Sequence, residues 1–344
     1  MTIATAERSR TAQRIGVGAG GAAVLFLLLL QWKGIERLLA AITNGLSLGA
    51  IYALLALGFV IIFKATQVVN FAHGAIASLG AFFVAYFGTV LNVPGRWATG
   101  LPTAAQWALS VVVAIAVISF AGLLIERAAI RPMVGEPLFA IAMVTIGLDI
   151  VIRTLTDDLI GPDPRPLGDP WGAGTVDFGK VIVAQTEIAV VIAAVVLVLA
   201  VAWFFQSRTG VAMRATAFDQ EAAMAQGISV AKIFAIAWII GAALAGVAGV
   251  FSSVFPRAAS GVSPQTAFFA FRAFPAIILG GLDSIIGAVV GGFVIGLAES
   301  FAGSYFTWTG FGSGFAGIVP YLVMLIVLLV RPYGLFGTEE IRRV

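Results

Sequence analysis

LLAAITNGLSLGAIYALLALGFVIIF, residues 38–63, holds no Asp, Glu, Lys, Arg or His. A bilayer hydrocarbon core about 30 Å thick is crossed by about 20 apolar residues of helix, and this run is long enough to do so. Its few polar positions, Thr43, Asn44, Ser47 and Tyr52, do not interrupt it. Further apolar runs, nearly free of charge, lie at 15–31, 71–91, 107–125, 138–152, 188–205, 233–255, 285–297 and 317–330. The chain of 344 residues is 60% hydrophobic and 11% charged, with a mean hydropathy of +1.04. A soluble domain carries about 25% charged residues, so a water-soluble enzyme is excluded. The fold class is an all-α polytopic membrane protein with about 8–10 transmembrane helices.

One segment, 268–282, is short, Gly-rich at its end and interrupted by Arg272 and Pro275. It reads either as a tilted span or as a re-entrant half-helix covered by protein. There is no cysteine, which excludes disulfides and thiolate metal sites. The run at 15–31 follows Arg8, Arg10 and Arg14 but leads into Gln31, Trp32 and Lys33 without a small-residue cleavage site; it reads as a retained anchor. With the N-terminus inside, Arg8, Arg10, Arg14, Lys64, Arg127, Arg131, Arg208, Arg214, Lys232, Arg331, Arg342 and Arg343 are inside. Lys33, Arg37, Arg96, Arg165, Lys180 and Arg257 are then outside. Twelve against six obeys the positive-inside rule. Both termini then face the cytoplasm: a tail at 1–14, one transmembrane domain at 15–337 and a tail at 338–344. The loop 156–187, rich in Asp, Pro and Gly, falls outside, where its composition argues against helix and for an ordered or capping loop.

Between two apolar runs lies SRTGVAMRATAFDQEAAMAQGISVAK, residues 207–232, on the cytoplasmic side. Asp219 is a predicted N-cap for a short helix at 220–226. Gly227 suits the left-handed position after it, with Ile228 as the apolar contact of a Schellman stop. Ser229 is placed to cap the following span. The small residues Ala222, Ala223 and Ala225 are expected to be exposed, so that a partner's groove can approach the backbone. From the residues alone, an ordinary amphipathic connector fits equally well.

Glu221-Ala222-Ala223 followed after three residues by Gly227 resembles the coupling motif of ABC importer permeases. Asn44-Gly-Leu-Ser-Leu-Gly-Ala-Ile-Tyr52-Ala-Leu-Leu-Ala-Leu-Gly58, then Val69-Asn70-Phe71-Ala72-His73-Gly74, is similar to the branched-chain amino acid permease family of the LivH type. So is the ending Arg331-Pro-Tyr-Gly-Leu-Phe-Gly337. The resemblance implies a permease subunit in the bacterial cytoplasmic membrane. It implies two cytoplasmic ATPase subunits docked on Glu221, Ala222, Ala223 and Gly227, a second and paralogous permease, and an extracytoplasmic binding protein. ATP and Mg²⁺ would sit on the ATPases; this chain has no Gly-x-x-x-x-Gly-Lys-Ser/Thr phosphate loop of its own, and Gly179-Lys180 lacks the motif. Ala75, where many relatives carry an acidic residue, and the loop around 162–171 leave a second substrate class open: urea or a short amide.

Intramembrane polar residues are costly and therefore default functional candidates. Asn44, Ser47 and Tyr52 fall near one helical face, and Asn70 and His73 open the next span; these five are the expected substrate-pathway residues, with helix–helix hydrogen bonding as the alternative. His73, the one histidine, reads as a turn or cap residue near a membrane end rather than a pH sensor. Asp149 and Arg153, spaced i,i+4, are expected to form a structural ion pair, and Arg272 with Glu299 is a further candidate pair. Small-residue stripes at Gly287/Gly291, Gly292/Gly296, Ala242/Gly246 and Ala245/Gly249 suit close helix packing. Gly45-Leu-Ser47-Leu-Gly49 matches a hydrolase elbow, but that chemistry needs a strand-to-helix turn, and here the run is helical. No residue of the chain is expected to be catalytic or to ligate a metal, and no nucleic-acid partner is expected. The rival is an ion-coupled secondary transporter with a broken helix around 256–281.

Overall fold

The computed structural model describes residues 34–161, 163–306 and 314–338. Its helices are α1 (Ile35–Thr66), α2 (His73–Ala85, prolonged by a π turn, Tyr86–Leu91), α3 (Thr103–Ile125, prolonged to Ile130) and α4 (Leu138–Ile160). After the strands β1 (Thr175–Asp177) and β2 (Ile182–Ala184) come α5 (Gln185–Gln206), α6 (Arg208–Phe218), α7 (Gln220–Ala225) and α8 (Val230–Ser252). The chain closes with α9 (Thr266–Phe269), a 3₁₀ turn (Ala270–Ala273), α10 (Phe274–Gly280), α11 (Ile285–Tyr305) and α12 (Phe315–Val330). Seven of these stretches are long and apolar enough to cross a membrane, and two shorter apolar helices, Thr266–Gly280 and Phe315–Val330, accompany them. The protein is thus an all-α polytopic membrane protein. The expected anchor at 15–31 lies outside the described residues.

Contacts between chain ends sort the connections into two sets. Lys64 Nζ at the end of α1 donates to Asp283 O before α11 (2.9 Å), Arg131 after α3 reaches Ala231 O in α8 (3.2 Å), and Leu335 N–H donates to Leu279 O (2.8 Å). These share one end with α6 and α7. At the other end Arg257 meets Asn44 and Thr186 donates to Phe255 O. The segment 266–280 therefore runs from the second end toward the first as a broken pass. Pro275 opens α10 rather than breaking it, because the first helical turn needs no N–H donor from that position.

Helix α1 is the axis: 89% of its apolar window is buried, against 17% for α4. Glycine lets its neighbours approach. Gly292 and Gly296 of α11 lie on the α1 backbone at Ala53 and Gly49, and a Cβ on Gly292 would stand 2.5 Å from Ala53 Cα. Gly45 and Gly49 face Leu297 and Phe293 in return, so the Gly-x-Ser-x-Gly run is a packing stripe. Gly246 and Gly249 of α8 meet Gly80 and Ala77 of α2, and Gly287 and Gly291 meet Gly280 and Ala276; all these stripes pack within the bundle.

Two expectations need correction. The span read as 71–91 does not start at a membrane end. After Thr66 the chain turns at Gln67 (φ 57°) and climbs back beside α1, so that α2 begins at the level of Leu55, about 16 Å from the end of α1 at 1.5 Å per residue. Non-helical backbone at such depth is tolerated only when protein satisfies it. Thr145 of α4 does this: its Oγ1 lies 3.0 Å from Val69 O and 2.9 Å from Ala142 O, and accepts from Phe71 N–H at 3.4 Å. The loop read as 156–187 is bounded more narrowly, since helix enters it at both ends. α4 continues to Ile160, and β1 and β2 form an antiparallel hairpin. Arg165 bridges Val262, and Trp171 packs between Trp107 and Phe251, so the loop caps that end of the bundle.

Candidate functional site

Two of the three expected pathway residues of α1, Asn44 and Ser47, are brought together by an arginine from outside that helix. Arg257, in the loop after α8, donates from Nη1 to Asn44 Oδ1 (2.9 Å) and from Nη2 to Asn44 O (2.8 Å) and Ser47 Oγ (3.3 Å). Glu187 Oε1, in the first turn of α5, stands 3.8 Å from Arg257 Nη2. Glu187 also accepts from Ala184 N–H (3.2 Å), which fixes the carboxylate at its own helix start. Burial pulls the Arg257 guanidinium below its ordinary value, and the Glu187 carboxylate pushes it back up. Ser300 of α11 donates to Ala41 O (2.8 Å) and reaches Asn44 Oδ1 at 3.5 Å, closing the cluster.

Tyr52, fully buried, stands deeper. Its hydroxyl donates to Glu299 Oε2 (2.6 Å), and Glu299 Oε1 is 3.5 Å from Arg272 Nη1. Across the 3₁₀ turn, Asp149 Oδ2 and Arg153 Nη2 of α4 are 3.2 Å apart, with the Arg153 guanidinium 4.8 Å from the centre of the Phe268 ring. Asn70 and His73 form a separate group at the start of α2. Asn70 Oδ1 accepts from Ala72 N–H (3.1 Å). The buried His73 ring places Nε2 3.0 Å from Leu55 O; a carbonyl only accepts, so Nε2 carries the proton. Asn70 Nδ2 and His73 Nδ1 have no partner among the described residues.

Residue type therefore marked Asn44, Ser47, Tyr52, Asn70 and His73, but not what holds them. Arg257 and Glu187 were missed as site residues. The signal was available: each is a lone charge just beyond an apolar run, where a side chain can reach back into the bundle.

At the opposite end, α6, α7 and the turn after them form the polar interval. Ser207 accepts from Gly210 N–H (3.2 Å) at the start of α6, while Arg214 donates to Phe205 O. Asp219 Oδ1 accepts from Ala222 N–H (2.9 Å), the cap geometry its position requires. Gly227 takes φ 81°, and Ile228 N–H returns to Ala223 O (3.0 Å), the 6→1 bond of a Schellman stop. Glu221, Ala222, Ala225 and Gly227 are exposed, whereas Ala223 is buried against the bundle. That corrects the expectation that all three alanines face outward: the i,i+3/i+4 geometry of one short turn leaves one of them inside. Ser229 precedes α8 without a side-chain cap bond. Phe218, 95% exposed, and Met224 flank the exposed side.

The family described as branched-chain amino acid transport system / permease component matches residues 41–328. The high-affinity branched-chain amino acid transport system permease protein BraD of Pseudomonas aeruginosa is 31% identical over 90% of this chain and 99% of its own. The LivH permease protein of Escherichia coli is 30% identical over 88% of this chain and 96% of its own. The probable LivH of Methanocaldococcus jannaschii is 29% identical over 83% and 88%. Among solved structures, PsaBC from Streptococcus pneumoniae in complex with Fab gives a TM-score of 0.42 at 14% identity over 91% of this chain and 98% of that one.

Proposed function

The chain belongs to the branched-chain amino acid transport system permease family, and from that membership we propose that it is the membrane subunit of an ABC importer for branched-chain amino acids. Two cytoplasmic ATPases bind and hydrolyse ATP, a paralogous permease completes the pathway, and an extracytoplasmic binding protein delivers substrate. The end carrying α6 and α7 faces the cytoplasm of the cell. Hydrolysis belongs to the ATPases and not to this chain. The names of the relatives favour branched-chain amino acids over urea or a short amide.

The observation that carries the reading is α7. A six-residue helix has too few internal hydrogen bonds to persist unaided, yet this one is capped at both ends and held by buried Ala223. It presents Glu221, Ala222 and Gly227 with Phe218 and Met224 beside them, a charged and small-residue surface flanked by exposed apolar anchors of the kind that centre on protein interfaces. Closure of an ATPase dimer on α7 moves it as a body, and α6 and α8 carry the motion into the bundle. Alternating access then requires two helix packings with different ligand contacts.

Gly227→Pro places a residue locked near φ −65° where the chain needs +81° and removes the Gly227 N–H that bonds Met224 O. Glu221→Arg inverts the exposed charge. Each is expected to cut ATPase co-purification or ATP-driven leucine uptake at least tenfold with membrane insertion intact. Normal assembly and uptake in both variants contradicts the docking role.

A further inference from the structure

The layer at the depth of Tyr52 contains an open charge. Glu299 lies about 21 Å along α11 from its start at Ile285, and Arg153 about 22 Å along α4 from Leu138, at 1.5 Å per residue. In a hydrocarbon core about 30 Å thick, both lie inside it, about 8–9 Å from its other surface. Arg272, which pairs with Glu299, shares that depth, and its side chain is 52% exposed. The outward faces of α3 and α5 carry Val112, Phe120, Leu124, Val195 and Leu199, as lipid contact demands. A half-exposed guanidinium among lipid tails is costly, and intramembrane charges face a bundle interior or a water-filled path instead.

The surroundings of Arg272 have a definite chemistry. Phe268 and Phe271 are exposed on the same broken segment, with ring centres 6.1 Å apart. Tyr321 of α12 donates to Phe271 O (3.1 Å) and fixes the 3₁₀ turn. A guanidinium has five N–H donors, and among the described residues Arg272 uses one, toward Glu299 at 3.5 Å. That is well beyond the roughly 2.7–2.9 Å of a strong charge-assisted bond. Glu299 is held from its other oxygen by Tyr52, so it does not depend on Arg272 for its place.

We propose that the face formed by Phe268, Phe271 and Arg272 lines the translocation path, with Arg272 taking the carboxylate of the passing amino acid and the phenyl rings its apolar side chain. Glu299, released from Arg272, then faces the substrate ammonium, so the layer keeps its net charge when a zwitterion enters. The path runs between this face and the second permease. This proposal rests on the permease reading above.

The chain has no cysteine, so single thiols report cleanly. In the assembled complex in vesicles, Phe271→Cys is expected to react with a water-soluble methanethiosulfonate reagent, read as a mass shift on this chain. Saturating L-leucine with the binding protein should slow the reaction at least threefold, and lipid-facing Leu199→Cys should stay unreactive. Arg272→Gln should lower leucine uptake at least tenfold while ATPase co-purification is retained, with Arg272→Lys partly restoring uptake. Labelling of Phe271→Cys no faster than Leu199→Cys, or wild-type uptake by Arg272→Gln, overturns the proposal. A wild-type complex that moves no branched-chain amino acid contradicts the assignment of function instead, and the labelling contrast still decides the face.

Discussion

Arg257 joins positions 213 residues apart, and it converts three separate polar residues into one cluster. Removing it leaves Glu187 buried without its cation and Asn44 Oδ1, among the described residues, with only the 3.5 Å contact from Ser300. Breaking a buried pair from one side costs about 3–5 kcal/mol. Arg257→Ala is therefore expected to lower the thermal unfolding midpoint of the detergent-purified protein by several degrees, with Arg257→Lys a partial rescue because the ammonium cannot span Asn44 and Ser47 together. An unchanged midpoint in Arg257→Ala contradicts the structural role. At this scale the sequence was half legible. Asn44, Ser47 and Tyr52 stood out because polar atoms are costly in an apolar run, and the i,i+4 spacing of Asp149 and Arg153 places their charges side by side, as the structure has them. The partners Arg257, Glu187 and Glu299 come from other elements, and no local pattern encodes a contact of that range.

Among elements, the apolar runs gave the long helices because lipid offers the backbone no hydrogen bonds and only helix satisfies it locally. Their ends were less legible: α1 extends from Ile35 to Thr66 and α4 to Ile160, since charged or polar residues continue a helix into the interface. The deep start of α2 was hidden, because it depends on Thr145 from α4 to satisfy Val69 and Phe71. The glycine stripes were legible as packing surfaces, though not their partners. Gly292→Val tests one of the tight α1–α11 contacts, where a Cβ meets Ala53 Cα at 2.5 Å and backbone cannot yield as a flexible side chain can. Overpacking of this kind costs about 1–3 kcal/mol, so the variant should unfold at a lower temperature and be recovered in lower yield. Gly303→Val, at a site whose nearest neighbour is 3.6 Å away, should behave as wild type; equal loss in both contradicts the close-contact account.

At the scale of the whole molecule, a rigid axis of α1, α2, α8 and α11 joins a capped end to the end bearing α7, while α3, α4 and α5 face outward with apolar side chains. In the proposed importer, movement of α7 passes through helices rather than loops, and the sequence has no Gly-x-x-x-x-Gly-Lys-Ser/Thr phosphate loop. Family membership and the polar interval were both readable from motifs, since backbone caps and small residues leave local signatures. The proposed translocation face was not, because it sets a broken helix against Glu299 of α11. The central claim is that partner ATPases drive this chain. Its direct test is uptake of labelled leucine into vesicles holding the reconstituted complex, supplied with binding protein. Uptake that requires ATP and both ATPases, and ceases when either is withheld, is the predicted result. Uptake by this chain without ATPases, on an ion gradient alone, contradicts it.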